Sequence, residues 1–123
     1  MSKCDNKRKG KAGEDIACSY LKKAGYDILH RNFTTEIGEL DIVASDGKGV
    51  VFIEVKTRLD ATFGTPAEAV DYRKRRKINA VAAQYIKKFR LFEIPVRFDV
   101  IEVWLQDRSV NHIENAFDSY LHY

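Results

Sequence analysis

One strand-forming stretch, Val-Val-Phe-Ile-Glu-Val-Lys at residues 50–56, limits the choice of fold more than any other part of the chain. Successive side chains of a strand point to opposite faces, and both faces of this stretch are largely apolar. Such a strand is stable when other layers of the protein cover it on both sides. We therefore predict that it is the central strand of a sheet packed on both faces.

Hydrophobic periodicity and turn signals predict an α/β fold with the element order αβββαβ(β). The predicted helices span residues 13–24 and 73–89, and Gly25 ends the first of them. The predicted strands span residues 26–33, 39–44, 50–57, 96–105 and 110–113. Two starts of the second helix remain open. Thr65 and Glu68 can form a capping box with Pro66 at the first helical position, and Asp71 is the rival start.

The 123 residues fit one domain, which we place at residues 12–123. Residues 1–11 are polar and basic and are predicted to form a flexible tail. No apolar run is long enough to span a bilayer, and the N-terminus lacks the apolar part of a signal peptide. Cys4 and Cys18 form no CxxC pair, so we expect neither a zinc site nor a disulfide scaffold, and a reducing, cytoplasmic setting.

The formal net charge is only +3, but the basic residues are clustered along the chain. The clusters are Lys3, Lys7, Arg8, Lys9 and Lys11; Arg73, Lys74, Arg75, Arg76 and Lys77; and Lys87, Lys88 and Arg90. Such clusters are typical of a protein that binds a polyanion, and equally of a solvated helix face with a charged tail. Charge alone does not separate these two interpretations.

The second and third predicted strands are joined by Ser-Asp-Gly-Lys-Gly at residues 45–49, which is a strong hairpin signal. A four-residue loop places Asp41 directly opposite Glu54. A two-residue Asp-Gly turn instead places Glu39 opposite Glu54, with Asp41 diagonal to it. Either register brings carboxylates together on one face, since directly opposed side chains have Cβ atoms about 5 Å apart.

Strand alternation places Glu39, Asp41 and Val43 on one face of the second strand, and Leu40 and Ile42 on the other. Carboxylates side by side in an apolar sheet are unfavourable, because like charges repel and a buried unpaired charge loses its hydration. A divalent cation removes both costs. Ligands that are all oxygen favour Mg²⁺ or Mn²⁺ over zinc.

Lys56 shares its strand face with Glu54 and can stabilise charge that develops on a phosphate. The plainer interpretation is that these acidic residues and Lys56 face solvent and form a salt bridge. We favour a functional site, because the third strand is predicted to be central. Glu14, at the start of the first helix, is either a first-turn acid favoured by the helix dipole or a further carboxylate of that site.

Other polar residues carry weaker signals. Asp99 lies between apolar neighbours on a predicted strand, where it either supports the site from an adjacent strand or takes a buried, hydrogen-bonded role. His30, His112 and His122 do not show the spacing of metal ligands, so we predict that each is a structural or surface residue.

Three features together resemble the PD-(D/E)xK nuclease superfamily, in an arrangement similar to archaeal Holliday junction resolvases. They are Glu14 in a helix, Asp41 within Gly-Glu-Leu-Asp-Ile-Val, and Glu54-Val-Lys56. The closer resemblance is to the YraN family of small bacterial proteins, from Lys9 to the C-terminus. The matching stretches are residues 10–14, 20–21, 25–32, 38–43, 51–58, 64–66, 69–70, 74, 97–100 and 115–117. The leading Pro-Asp of the superfamily is absent, since Leu40 precedes Asp41.

The resemblance implies a restriction-endonuclease-like fold, in which helices flank a mixed central sheet. It also implies that Asp41 and Glu54 bind Mg²⁺ or Mn²⁺, with the carbonyl of Val55 as a further ligand. Lys56 would orient the attacking water or stabilise the transition state, and Glu14 would be an auxiliary catalytic acid.

The implied function is that of a divalent-metal-dependent endonuclease that hydrolyses phosphodiester bonds in DNA, structure-selective in the manner of a resolvase. The residues predicted to grip the nucleic-acid backbone are Arg58, Arg73, Lys74, Arg76 and Lys77. The alternatives are a non-catalytic nucleic-acid-binding module and a partner-dependent subunit with a nuclease-like fold. Related resolvases act as dimers, which leaves a homodimer open for this chain.

Overall fold

The computed structural model describes residues 3–59 and 71–118, and of residues 3–9 it describes the backbone alone. The elements are α1 (Lys3–Lys23), β1 (Asp27–Thr34), β2 (Glu39–Ser45), β3 (Val50–Arg58), α2 (Tyr72–Lys88), β4 (Val96–Trp104) and β5 (Ser109–Ile113). Within the described ranges, the predicted element order is confirmed. The capping box predicted at residues 65–68 lies outside them.

The five strands form one mixed sheet in the order β1-β2-β3-β4-β5. The central strand, β3, pairs antiparallel with β2 and parallel with β4. The predicted central position of this strand is therefore confirmed. A mixed sheet with a helix on each face is consistent with the predicted restriction-endonuclease-like α/β fold. Neither described helix is both long and apolar enough to cross a membrane.

Two apolar clusters cover the two faces of the sheet, and β3 contributes to both. Val51 and Ile53 pack on the α1 side, and Phe52 packs on the α2 side. From α1 the packing residues are Ile16, Ala17, Cys18 and Leu21; from α2 they are Ile78, Val81, Ala82, Tyr85 and Ile86. Removing these side chains from water stabilises the three layers, at about 25 cal/mol for each Å² of apolar surface.

Helix α1 begins at Lys3, ten residues before the predicted start at residue 13. Part of the segment predicted as a tail, residues 1–11, therefore has a helical backbone. The prediction relied on apolar periodicity, which begins only after Gly13. Lysine, arginine and alanine extend a helix at little cost without such periodicity, and no proline interrupts this segment.

The end of α1 and the start of α2 follow from local signals. Gly25 has a φ of +96°, and the amide of Tyr26 donates to the carbonyl of Leu21 at 2.9 Å, so α1 ends in the glycine motif predicted there. Asp71 caps α2, because its Oδ1 accepts a hydrogen bond of 2.9 Å from the amide of Lys74. Of the two predicted starts, Asp71 is confirmed as the cap of this helix.

Candidate functional site

The hairpin between β2 and β3 adopts the first of the two predicted registers. Ser45 pairs with Val50, and the pairing continues to Ile42 and Ile53. Asp46 closes the four-residue loop, because its Oδ1 accepts hydrogen bonds of 2.8 Å from the amides of the third and fourth loop residues. The next residues along the two strands are Asp41 and Glu54, so the predicted pair of carboxylates is brought together.

The predicted alternation of faces fails at Asp41. Leu40 packs on the α2 side of the sheet with Val43, whereas Ile42 packs on the α1 side. The prediction that Leu40 and Ile42 share a face is therefore wrong. The physical reason is that the pairing of β2 with β3 stops beyond Ile42, although β2 stays paired with β1, and the Asp41 carboxylate accepts a hydrogen bond of 2.8 Å from the amide of Val55. A side chain thus takes over from the ladder, and the strand ends separate.

Helix α1 brings a further acid to these strand ends. Glu14 follows Gly13, where an added methyl group would overlap the side chain of Thr57 on β3. The absence of a side chain at Gly13 therefore lets the helix approach the strand closely. The amide of Asn32 and the guanidinium of Arg31 on β1 then hold the Glu14 carboxylate.

Three carboxylates from α1 and β2 form a compact group. Glu14, Glu39 and Asp41 each offer an oxygen atom within 4.8 Å of the others. Glu54 joins them through its interaction with Asp41. Glu39 was considered in the sequence only as a partner of Glu54 in the other register, and was not among the predicted site residues. Its spacing of two residues from Asp41 on one strand was the available signal.

Crowding of these groups changes how firmly they hold protons. Burial, reinforced by the charge of Glu54, raises the pKa of Asp41 to about 8, although the amide of Val55 acts in the opposite direction. Burial also raises the pKa of Glu14, against the lowering effects of Asn32 and Arg31. A cation placed among these carboxylates would therefore relieve an unfavourable accumulation of negative charge.

Two ammonium groups approach the same oxygen of Glu54, which is a buried residue. Lys74 Nζ lies 2.6 Å from Glu54 Oε1, and Lys56 Nζ lies 3.6 Å from it. Burial lowers the pKa of Lys56, and the neighbouring Lys74 lowers it further. Burial also acts against the charge of Lys74, but its hydrogen bond to Glu54 and its interaction with Lys56 outweigh this effect and raise the pKa of Lys74. Lys56 is therefore the lysine that gives up a proton more readily.

The acidic group opens into a cleft of about 270 Å³ between the strand ends and α2. The cleft is lined by Gly38, Glu39, Asp41, Glu54, Lys74, Lys77 and Ile78. Its acidic donors are carboxylate oxygens, which suit a hard divalent cation such as Mg²⁺ or Mn²⁺. The donor set therefore fits the metal that the sequence predicts.

The five basic residues predicted to grip nucleic acid differ in their surroundings. Arg58 is partly buried, and its Nε lies 3.5 Å from Oε2 of the buried Glu102. Lys74 is held in the site itself. The exposed members of the set are Arg73, Arg76 and Lys77, in the first two turns of α2. The side chain of Arg76 also packs over the ring of Tyr72, 5.7 Å from its centroid.

Residues 13–103 match the family described as Uncharacterised protein family UPF0102. The chain belongs to this family. The resemblance to the YraN family predicted from the sequence is thereby confirmed, since these are the same family. The matched range contains the whole site, from Glu14 to Lys77.

Individual UPF0102 proteins are similar to this chain over nearly their whole length. A UPF0102 protein of Clostridioides difficile is 48% identical over 113 residues, covering 92% of this chain and 99% of that protein. One from Caldanaerobacter subterraneus subsp. tengcongensis is 46% identical, covering 95% and 100% respectively. One from Trichlorobacter lovleyi is 50% identical, covering 92% of each chain. The domain that carries the site is therefore the domain these UPF0102 proteins share.

Proposed function

We propose that this protein is a divalent-metal-dependent endonuclease that hydrolyses phosphodiester bonds in DNA, with a preference for branched or otherwise irregular structures. The observation that carries the proposal is the meeting of Asp41, Glu54 and Lys56 where β2 and β3 separate. A third acid, Glu14 from α1, and a second lysine, Lys74 from α2, adjoin them. If Asp41, Glu54 and Lys56 simply faced solvent, they would be neither buried nor in contact with side chains from the helices on both sides of the sheet.

The acidic residues would hold Mg²⁺ or Mn²⁺, which when bound polarises a phosphate and lowers the pKa of a water molecule. Asp41 and Glu54 are the principal ligands in this proposal, with Glu14 and Glu39 beside them. The amide of Val55 points to Asp41, on the β2 side of β3. In a strand, the carbonyl of a residue points to the same side as its amide. Val55 can therefore present its carbonyl oxygen to the same space.

Lys56 is the residue that acts on the reacting groups. Its ammonium lies at the edge of the acidic group, and its lowered pKa eases exchange of a proton with water. It can orient the attacking water with Glu54, or stabilise negative charge on the phosphate. Because Lys56 is mostly buried, its position is fixed before substrate binds.

The start of α2 provides the binding surface for the substrate backbone. Helix N-termini attract anions, yet the first turn of α2 carries lysine and arginine and no acid. The Asp71 carboxylate offsets part of the helix dipole through the amide of Lys74, and a bound phosphate would stabilise the basic side chains beside it. Phosphate contacts of this kind give affinity without sequence preference, which supports selection of substrates by shape.

The test is a cleavage assay with labelled duplex, single-stranded, flap and four-way-junction DNA in Mg²⁺, Mn²⁺ or EDTA. Asp41→Asn and Lys56→Met are compared with Lys48→Met, which alters an exposed lysine in the distant hairpin turn. We expect cleavage that depends on the metal, falls by about 100-fold or more in the first two variants, and is unchanged in the third. A gel shift with each variant measures binding separately.

Binding of DNA without cleavage in any metal, equal in all variants, would overturn the proposal. It would favour the non-catalytic binding module or the partner-dependent subunit. Cleavage that persists in Asp41→Asn and Lys56→Met would instead indicate a contaminating nuclease.

A further inference from the structure

We propose that Lys74 competes with the divalent cation for Glu54, and that metal binding releases Lys74 to bind a phosphate of the substrate. The inference rests on the proposed function, and it goes beyond it by giving Lys74 two successive partners. Metal binding and polyanion binding would then favour each other.

The first reason is the crowding at one oxygen atom. Lys74 Nζ lies 2.6 Å from Glu54 Oε1, and Lys56 Nζ lies 3.6 Å from the same atom. A divalent cation bound to Glu54 would add a third positive centre within a few ångströms. Like charges at such separations repel strongly when they are shielded from water. One of the two ammonium groups must therefore move away from Glu54.

Lys74 is the one that can leave. Its side chain is 41% exposed, whereas that of Lys56 is 17% exposed. Lys56 lies on the central strand, two residues from Glu54 and on the same face. Lys74 extends from the first turn of α2, whose backbone is fixed independently by the cap at Asp71. Its long side chain can thus turn towards solvent without any movement of the helix.

The released ammonium would enter the part of the cleft where a phosphate is expected. Lys77, one turn along α2, is exposed and lines the same cleft. Lys74 at the positive end of α2 is unfavourably placed unless an anion lies beside it. Glu54 meets that need in the structure described here, and a phosphate oxygen would meet it once the metal has taken Glu54.

The coupling predicts opposite effects of one substitution on two ligands. In Lys74→Gln the competitor is gone, so the metal should bind more tightly. The same variant lacks the ammonium that metal binding would deliver to DNA, so the metal should no longer strengthen DNA binding. Lys77→Gln removes an equal charge from the same cleft but leaves the contact between Lys74 and Glu54 in place, which makes it the matched control.

The experiment measures Mn²⁺ affinity of the full-length protein by calorimetry, and affinity for a fluorescent DNA duplex by anisotropy in EDTA and in Ca²⁺. We expect Lys74→Gln to bind Mn²⁺ about tenfold more tightly than the wild type, within the roughly 5–150-fold range of coupled sites. Lys77→Gln should bind Mn²⁺ with an affinity within about twofold of the wild type. Lys74→Arg, which keeps a positive charge at this position, should bind Mn²⁺ about as weakly as the wild type. Ca²⁺ should strengthen DNA binding by the wild type and Lys77→Gln, but not by Lys74→Gln.

Mn²⁺ binding that is unchanged or weaker in Lys74→Gln would overturn the inference, and the nuclease proposal would stand if the wild type still cleaves DNA. Tighter Mn²⁺ binding in Lys74→Gln by a protein that cleaves none of the DNA substrates would support the inference and reject the nuclease. No Mn²⁺ binding by the wild type would overturn both.

Discussion

Asp99 on β4 is fully buried and is surrounded by hydrogen-bond donors. It accepts from Arg97 Nε at 2.8 Å, from Arg97 Nη2 at 2.9 Å, and from the amide of Asn115 at 2.9 Å. His112 Nε2 lies 2.7 Å away, and the other nitrogen of this ring contacts the hydroxyl of Tyr20 on α1 at 2.9 Å. Asp99 therefore takes the second of its two predicted roles, and His112 is structural as predicted.

This network fixes the sign of a pH effect. Burial acts to raise the pKa of Asp99, but the hydrogen bonds from His112 and Arg97 outweigh it, so the pKa is lowered. An acid whose pKa is lower in the folded state stabilises the protein above its unfolded pKa, near 4, and ceases to do so as the pH falls through the folded value.

We expect Asp99→Asn to lower the free energy of unfolding by roughly 3 kcal/mol at neutral pH, because Arg97 is left without its buried partner. The difference from the wild type should shrink as the pH falls below about 4. Urea unfolding between neutral and acidic pH measures both effects, and Asp27→Asn, an exposed residue on β1, is the control. An equal difference at every pH would contradict this account.

Helix α1 owes its position to one residue without a side chain. Gly13 faces Thr57 so closely that a methyl group could not be accommodated, whereas a methyl group at Gly10 would meet nothing within 4 Å. The two glycines belong to one helix and differ in this contact. They therefore separate the effect of helix packing from the ordinary preference of helices for alanine.

We expect Gly13→Ala to lower the free energy of unfolding by about 1–3 kcal/mol, because it overpacks the contact between α1 and β3. Gly10→Ala should be neutral or raise it by up to about 1 kcal/mol, since alanine favours the helix. Urea unfolding of both variants provides the measurement. Equal effects of the two substitutions would show that the close approach at Gly13 does not limit the position of α1.

At the scale of the whole molecule, the exposed cations Arg73, Arg76 and Lys77 of α2 lie at the same end of the central strands as the acidic cleft. The basic start of α2 adjoins the cleft, while the hairpin turn with Lys48 lies at the opposite end of β2 and β3. A modest net charge of +3 thus conceals a local concentration of positive charge. A local cluster of positive charge of this kind determines how strongly the binding of a polyanion depends on salt concentration.

We expect DNA binding to weaken steeply as salt increases, with the logarithm of the binding constant linear in the logarithm of salt concentration. The slope of that line should become less steep in each of three variants, by the amount expected for the loss of about one phosphate contact. These variants are Arg73→Gln, Arg76→Gln and Lys77→Gln. Lys48→Gln should leave the slope unchanged. Titrations at several salt concentrations test this, and an equal effect of Lys48→Gln would place the bound DNA elsewhere.

Much of the fold could be predicted from local sequence signals. The apolar stretch that became β3 had to be central, since burial on both faces requires covering layers. The hairpin between β2 and β3 was predicted with two registers left open, and the hydrogen bonds of Asp46 to the loop amides in the structure select the four-residue loop. Gly25 ended α1 for a conformational reason, since it adopts a positive φ that other residues avoid. Each of these features depends on residues that are neighbours along the chain.

The site could be predicted in part. Asp41, Glu54 and Lys56 follow from strand spacing, and the same spacing on β2 offered Glu39, which the prediction left out. The contact of Lys74 with Glu54, in contrast, joins elements far apart in sequence. The break in alternation at Asp41 was also missed, because it depends on a hydrogen bond to the neighbouring strand. Hydrophobic periodicity predicts a regular strand, and it does not indicate where the regular alternation of side chains ends.

The chain's own order of residues thus accounts for its elements, the central place of β3 and the two carboxylates that face each other across the hairpin. Packing in three dimensions accounts for the rest: the arrival of Glu14 from one layer and Lys74 from the other, and the separation of the strands between them. The physical reason is the distance along the chain over which each effect acts. Backbone geometry and side-chain polarity act between near neighbours, whereas charge crowding and the loss of hydration at the cleft arise only when distant segments meet.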